Sequence, residues 1–144
     1  METRININEV QPEAYKAMLA LEEYIQKSGL DKKLYELIKI RASQINGCAF
    51  CLDMHTRDAR RLGETDQRMH LLNAWRETTL FTIEERAALA LTEEVTKIQG
   101  GVSSQTYQEA FHLFGETKTA QIIMAAITIN AWNRIAISTQ LQPQ

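Results

Sequence analysis

Residues 32–63 read KKLYELIKIRASQINGCAFCLDMHTRDARRLG, two runs of helical periodicity hinged on Asn46-Gly47. In the first run Asp31 stands as an N-cap, and Leu34, Leu37, Ile38 and Ile45 recur at helical spacing before the Asn46-Gly47 stop. In the second run, taken at about 100° per residue, Cys48, Cys51, Leu52, His55, Ala59 and Leu62 share one face, and Gly63 ends the segment. Asp53, Arg57 and Arg60 turn away from that face, Asp53 and Arg57 as an i,i+4 pair. A helix, a glycine and a second helix predict an antiparallel pair, the seed of an all-α fold.

Working outward, helix signals recur and strand alternation persists nowhere. Pro12 opens a helix that runs to Lys27 before Ser28-Gly29. A shorter helix is expected over about Asp66–Arg76. Thr82-Ile83-Glu84-Glu85 is a capping-box pattern opening a helix toward the Gly100-Gly101 break. Ser103-Ser104 starts another that stops at Phe114-Gly115, and a long apolar helix follows from about Thr117 to Thr139. No repeat or linker divides the chain. The expectation is one domain over residues 1–144, a bundle of about seven helices with the C-x-x-C at the N-terminus of a central helix.

Composition narrows the function classes. A net charge of −2 leaves no electrostatic footprint for nucleic acid. The most apolar stretch, Ile122–Ile129, is bounded or interrupted by Gln121, Thr128, Asn130, Asn133 and Arg134, so no membrane span is expected. The N-terminal METRININEV lacks the basic and apolar regions of a secretory signal, which makes the cytoplasm the expected compartment. In a reducing compartment two cysteines at C-x-x-C spacing point to redox or metal chemistry rather than to a static staple. A loop that short also stabilises little through chain entropy.

Helical spacing gives these residues a chemistry. Cys48 and Cys51 lie one turn apart, within reach of a disulfide. Cys51 and His55 are also one turn apart, so the imidazole can take the thiol proton. Cys48 and His55 are two turns apart, about 10 Å of rise, and cannot touch. A helix N-terminus favours a thiolate, whereas apolar burial opposes one. Across the antiparallel pair, residues whose numbers sum to about 94 face each other, and Glu36 with His55 comes within one turn of that register. Glu36 can therefore orient His55 and cannot reach Cys48. The helical wheel, however, sets Glu36 opposite Leu34, Leu37, Ile38 and Ile45, where a monomer would leave it solvated. On the residues alone both readings stand.

A second function class is a non-catalytic helical protein that uses the cysteines as a redox sensor or, with His55 and Glu36, as a zinc site. Against zinc, Cys48 and His55 on one rigid helix converge poorly. His70 and His112 have no ligand-spaced partners, and Arg57, Arg60 and Arg61 read as a solvated face. Trp75, Phe81, Phe111, Phe114 and Trp132 fall at helical spacing and read as core or interface. Phe50 and Met54 form a second apolar patch away from the cysteine face. With the long helix near Ile122–Ile137, that patch suggests subunit contact.

Glu36, then Cys48-x-x-Cys51-x-x-x-His55, resembles the motif of the alkyl hydroperoxidase D-like branch of the carboxymuconolactone decarboxylase family. The similarity extends through ELIKIRASQINGCAFC to Gly63 and to the late Asn133-Arg134. The resemblance implies a thiol-dependent peroxidase, an oxidoreductase acting on alkyl hydroperoxides with no metal or organic cofactor. It makes Cys51 the peroxidatic cysteine, Cys48 the resolving one, and Glu36 with His55 a proton relay. It implies an external dithiol or disulfide-reducing protein as electron donor, and trimers or hexamers of helical protomers. The best-known pattern has a histidine just before the peroxidatic cysteine where this chain has Phe50, which implies weaker peroxide turnover or a different substrate and reductant. The decarboxylase branch lacks the C-x-x-C, so that activity is not expected.

Overall fold

Gly47 makes the turn on which the architecture depends. It caps a helix in the left-handed region (φ 71°, ψ 37°), a conformation that costs glycine little, and its N–H bonds back to the Ser43 carbonyl. The computed structural model describes residues 1–144. On either side of Gly47 lie α3 (Lys32–Asn46) and α4 (Ala49–Arg61), the antiparallel pair expected from the sequence. Before them come α1 (Ile7–Val10) and α2 (Pro12–Lys27). After them come α5 (Asp66–His70), a 3₁₀ segment (Leu72–Glu77), α6 (Ile83–Thr96), a 3₁₀ turn (Ile98–Gly100) and α7 (Ser104–Ser138). The chain is all-helical.

The helix starts follow the sequence closely. Asp31 caps α3 through Leu34 N–H, and Thr82 and Glu85 form the reciprocal capping box of α6. Inside α7, Gly115 adopts φ 76° and ψ 179°, which divides it into arms 104–114 and 116–138, the two helices the sequence separates there. One element is unforeseen and one expectation is corrected. The short α1 is too brief to show periodicity, and Asn6 caps it. The single helix foreseen over 66–76 becomes α5 and a 3₁₀ segment with Ala74 out of helical geometry. In a 3₁₀ helix side chains at i and i+3 eclipse, which lets Leu72 and Trp75 enter the core together. Arg86 then collects the Trp75 and Thr78 carbonyls, at 2.9 and 3.0 Å.

The core lies on both sides of α3. One cluster joins Leu34, Tyr35 and Ile38 to Leu91 of α6 and Ile122, Ala125 and Ala126 of α7. The other joins Leu37 and Ile40 to Ala59, Leu72, Trp75, Phe81 and Leu89. Every residue from Leu34 to Ile40 is buried, so the polar side chains of α3 need internal partners. Asn133, fully buried on α7, donates to Ser43 Oγ (3.0 Å) and accepts from Asn46 Nδ2 (2.9 Å). These bonds tie the far arm of α7 to the turn before the cysteines. No helix is long and apolar enough to cross a membrane.

Candidate active site

Cys48 occupies the N-cap of α4 rather than its first turn: its Sγ accepts the Cys51 N–H at 3.3 Å. The two cysteines form a disulfide, with Cα atoms 5.3 Å apart. Both are buried against Ala136 of α7, with Phe50 packed alongside. Their surroundings differ. Cys51, and not Cys48, lines a cavity of about 340 Å³ that also receives Glu36 and His55.

Glu36 is 6% exposed, which corrects the solvated position suggested by the wheel. The wheel assumes one solvent face, but α3 is covered on that side as well. The α2 residues Tyr15, Leu19, Glu22 and Gln26 roof the cavity. Glu36 Oε2 comes within 3.2 Å of His55 Nδ1, the pairing the antiparallel register anticipates. The approach is short but oblique, and neither buried atom has a well-aligned hydrogen-bond partner. Asp58 Oδ2 stands 4.0 Å from the same nitrogen. The other Glu36 oxygen is held by Lys39 Nζ at 2.7 Å. Burial alone would raise the Glu36 carboxyl, but His55 and Lys39 outweigh it and hold the group below its ordinary range. The carboxylate is thus ionised at neutral pH.

Several residues of the site escaped the sequence reading. Lys39 is 2% exposed and lies over the Tyr35 ring, 3.9 Å from its centroid. Tyr35 in turn donates to Glu22 Oε2 at 2.8 Å. The only signal was the i,i+3 spacing of Glu36 and Lys39, which reads as an ordinary surface pair until α3 is known to be covered. Tyr15 and Trp132 meet edge-on, ring centroids 5.3 Å apart, at the cavity wall. Phe50 and Met54, expected on a patch away from the cysteine face, line the same cavity, since α2 and α7 cover that side of α4. Leu62, expected on the buried face, is 40% exposed because α4 has ended at Arg61. His70 and His112 are exposed, as anticipated.

As a metal site the arrangement is poor. Glu36, His55 and Asp58 bring one ligand atom each within 4.8 Å of one another. The Lys39 ammonium, however, occupies one Glu36 oxygen and repels a cation there. The cysteines are not members of that cluster, and as a disulfide they offer no thiolate. The geometry suits thiol chemistry instead: the Cys51 sulfur, the His55 imidazole and the ionised Glu36 carboxylate that meets it all line one mainly apolar cavity.

Known proteins carry the same frame. The uncharacterized protein YdfG of Bacillus subtilis (strain 168) is 42% identical over 139 residues, 96% of this chain and 95% of its own. A solved structure from Agrobacterium tumefaciens matches with a TM-score of 0.95 at 42% identity, covering 99% of both chains. That protein is of unknown function, with a suggested role in antioxidant defence as an AhpD protein. An uncharacterized peroxidase-related protein from Silicibacter sp. TM1040 shares the fold, with a TM-score of 0.81 at 24% identity over 93% of this chain and 72% of its own. The model of the carboxymuconolactone decarboxylase family matches residues 12–94. With its cysteine pair and this closeness to an AhpD-like structure, the chain belongs to the carboxymuconolactone decarboxylase family, in its alkyl hydroperoxidase D-like branch.

Proposed function

We propose that the chain is a thiol-dependent peroxidase that reduces organic hydroperoxides through Cys51. The observation that carries this reading is the asymmetry of the cysteines: Cys51 shares the cavity with Glu36 and His55, while Cys48, at the N-cap of α4, does not line it. In the reduced protein Glu36 engages His55 Nδ1 and leaves Nε2 free to take the Cys51 proton. The thiolate sulfur attacks the terminal peroxide oxygen, the O–O bond breaks, and the alkoxide leaves as alcohol with the proton held by His55. Cys51 is then a sulfenic acid. The Cys48 thiol displaces its oxygen as water and closes the disulfide. An external dithiol, supplied by a small molecule or a disulfide-reducing protein, restores both thiols by exchange. One peroxide and one dithiol become one alcohol, one water and one disulfide.

The cavity wall favours an apolar substituent on the peroxide. Leu19, Phe50, Met54, Trp132 and Ala136 surround the approach to Cys51. Phe50 occupies the place of a relay histidine in the fuller family pattern, so proton delivery rests on His55 and Glu36, and slower turnover is part of the reading. Self-association belongs to it too: Phe111, Ile127 and Ile137 on α7 are 40–43% exposed and offer apolar surface to a second protomer. The direct test is stopped-flow consumption of cumene hydroperoxide by fully reduced protein, with thiols counted before and after. Loss of two thiols per peroxide reduced is the expected result. No peroxide use, with both thiols still free, would leave a dithiol of another function.

A further inference from the structure

Lys39 is a buried cation that takes no part in the bond-making or proton-transfer steps of the thiol chemistry described above. Nothing apolar packing requires would place an ammonium there, since burying one costs several kcal/mol unless it is well paired. Its position is set from three sides. The Tyr35 ring lies under it, Glu22 Oε1 stands 3.9 Å away, and Glu36 Oε1 is much nearer at 2.7 Å. Tyr35 occupies the other Glu22 oxygen, so Glu22 helps fix the ammonium without drawing it off Glu36. With one Glu36 oxygen held in this way, the second is left facing His55.

The charges around Glu36 show what the ammonium does. From α2 the site receives Tyr15 and Glu22, and from α4 it receives His55, Asp58 and Arg61, the last paired with Asp58 at 3.1 Å. From α3 itself come Lys32, Tyr35 and Lys39, and α7 contributes only Trp132 and Ala136. Lys32 and Arg61 border the outer side of Glu36, so Lys39 is the one lysine or arginine within the cavity that holds Cys51. Without it, only His55 would offset the burial of Glu36, with Glu22 and Asp58 nearby, and the carboxylate would bind a proton more readily. A protonated Glu36 no longer favours a proton on His55, and the base for Cys51 is weakened.

We propose that Lys39 is a positioning residue that keeps Glu36 ionised and turned toward His55, and thereby sets the pH at which Cys51 becomes reactive. The proposal rests on the thiol reading above but not on peroxide being the substrate, and its test reads the thiol alone. Cys51 is kept as the only thiol with Cys48→Ser, and its alkylation by iodoacetamide is followed from pH 5 to 10. Lys39→Met should slow alkylation at neutral pH by about tenfold, the equivalent of one pKa unit, and move the profile to higher pH. Lys39→Gln, which keeps a donor for Glu36 without the charge, should do the same and serves if the methionine variant does not fold. In a Glu36→Gln background neither substitution should slow alkylation further, because Lys39 acts through Glu36. An unchanged profile in the folded Lys39 variant would overturn the proposal. So would an equal slowing in the Glu36→Gln background, which would mean that the ammonium acts on the thiolate directly. A shifted alkylation profile in a protein that ignores peroxide would sink the peroxidase reading and leave this one standing.

Discussion

Glu36 Oε2 and His55 Nδ1 meet at 3.2 Å across the Gly47 turn, both more than nine-tenths buried and neither in a well-aligned hydrogen bond. The carboxylate and the imidazole answer each other's charge at this distance without a fully aligned hydrogen bond. The oblique contact suits a relay that tightens when a proton moves onto the imidazole. Its register follows from the helix pairing: α3 and α4 are antiparallel, and Gly47 sets which turn of one faces which turn of the other.

Glu36→Gln keeps the volume of the side chain and removes its charge. We expect peroxide turnover at pH 7 to fall by about 100-fold, the ordinary scale of general acid–base catalysis. The loss should shrink as pH rises and Cys51 ionises without help. Rates measured from pH 6 to 9 check this, and a uniform loss across that range would instead indicate a distorted cavity.

Cys48→Ser should leave the fold intact, because serine is a strong N-cap and can replace Sγ in accepting the Cys51 N–H. The variant should reduce one peroxide per chain and stall, with Cys51 trapped as a sulfenic acid that dimedone labels. Cys51→Ser should consume none. Mass spectrometry of the dimedone adduct assigns the nucleophile, and labelling at position 48 in the Cys51→Ser protein would reverse the assignment.

How much of this was readable beforehand depends on the range of the interaction involved. The α3–Gly47–α4 unit and the facing of Glu36 and His55 were legible, because helix period and a short turn are local. The helix starts at Asp31 and Thr82 and the break at Gly115 were legible for the same reason. The burial of Glu36 was not, since it depends on α2, whose nearest cavity residue, Gln26, is ten positions away in sequence. Lys39 was hidden by the same gap. Trp132 could be placed on an apolar helix, but its meeting with Tyr15 joins residues from opposite ends of the chain. The 3₁₀ segment at Leu72–Glu77 looks like α-helix in sequence because the core, not local propensity, selects its tighter pitch.

Trp132 and Tyr15 wall the cavity, so they should matter to the organic part of a peroxide more than to its oxygens. Trp132→Ala should lower kcat/KM for cumene hydroperoxide by about tenfold, the scale of a lost aromatic contact with its buried area. For hydrogen peroxide, which has no apolar group to seat, the change should stay within about threefold. Equal losses on both substrates would place the effect on Cys51 itself rather than on binding.

Glu93 supplies a stability prediction away from the site. Its carboxylate is 8% exposed, accepts the Trp75 indole N–H at 3.0 Å and pairs with Arg41 at 2.9 Å and with Arg76. Burial works to raise this carboxyl, but the hydrogen bonds from Arg76 and Arg41 outweigh it and hold it below its ordinary range. The folded chain therefore binds that proton less readily than the unfolded chain. The resulting stabilisation is complete above the unfolded value, about 4.3, and is lost as pH falls through the lower folded value. Glu93→Gln should remove that part of the acid dependence and lower stability at pH 7 by roughly 2 kcal/mol, because Arg41, largely but not fully covered, is left without its counter-charge. Urea unfolding at pH 7 and at pH 4 measures both effects. If the variant loses as much stability between those two pH values as the parent chain does, the acid sensitivity belongs to other carboxylates, with Glu64 and its partner Arg68 the next pair to change.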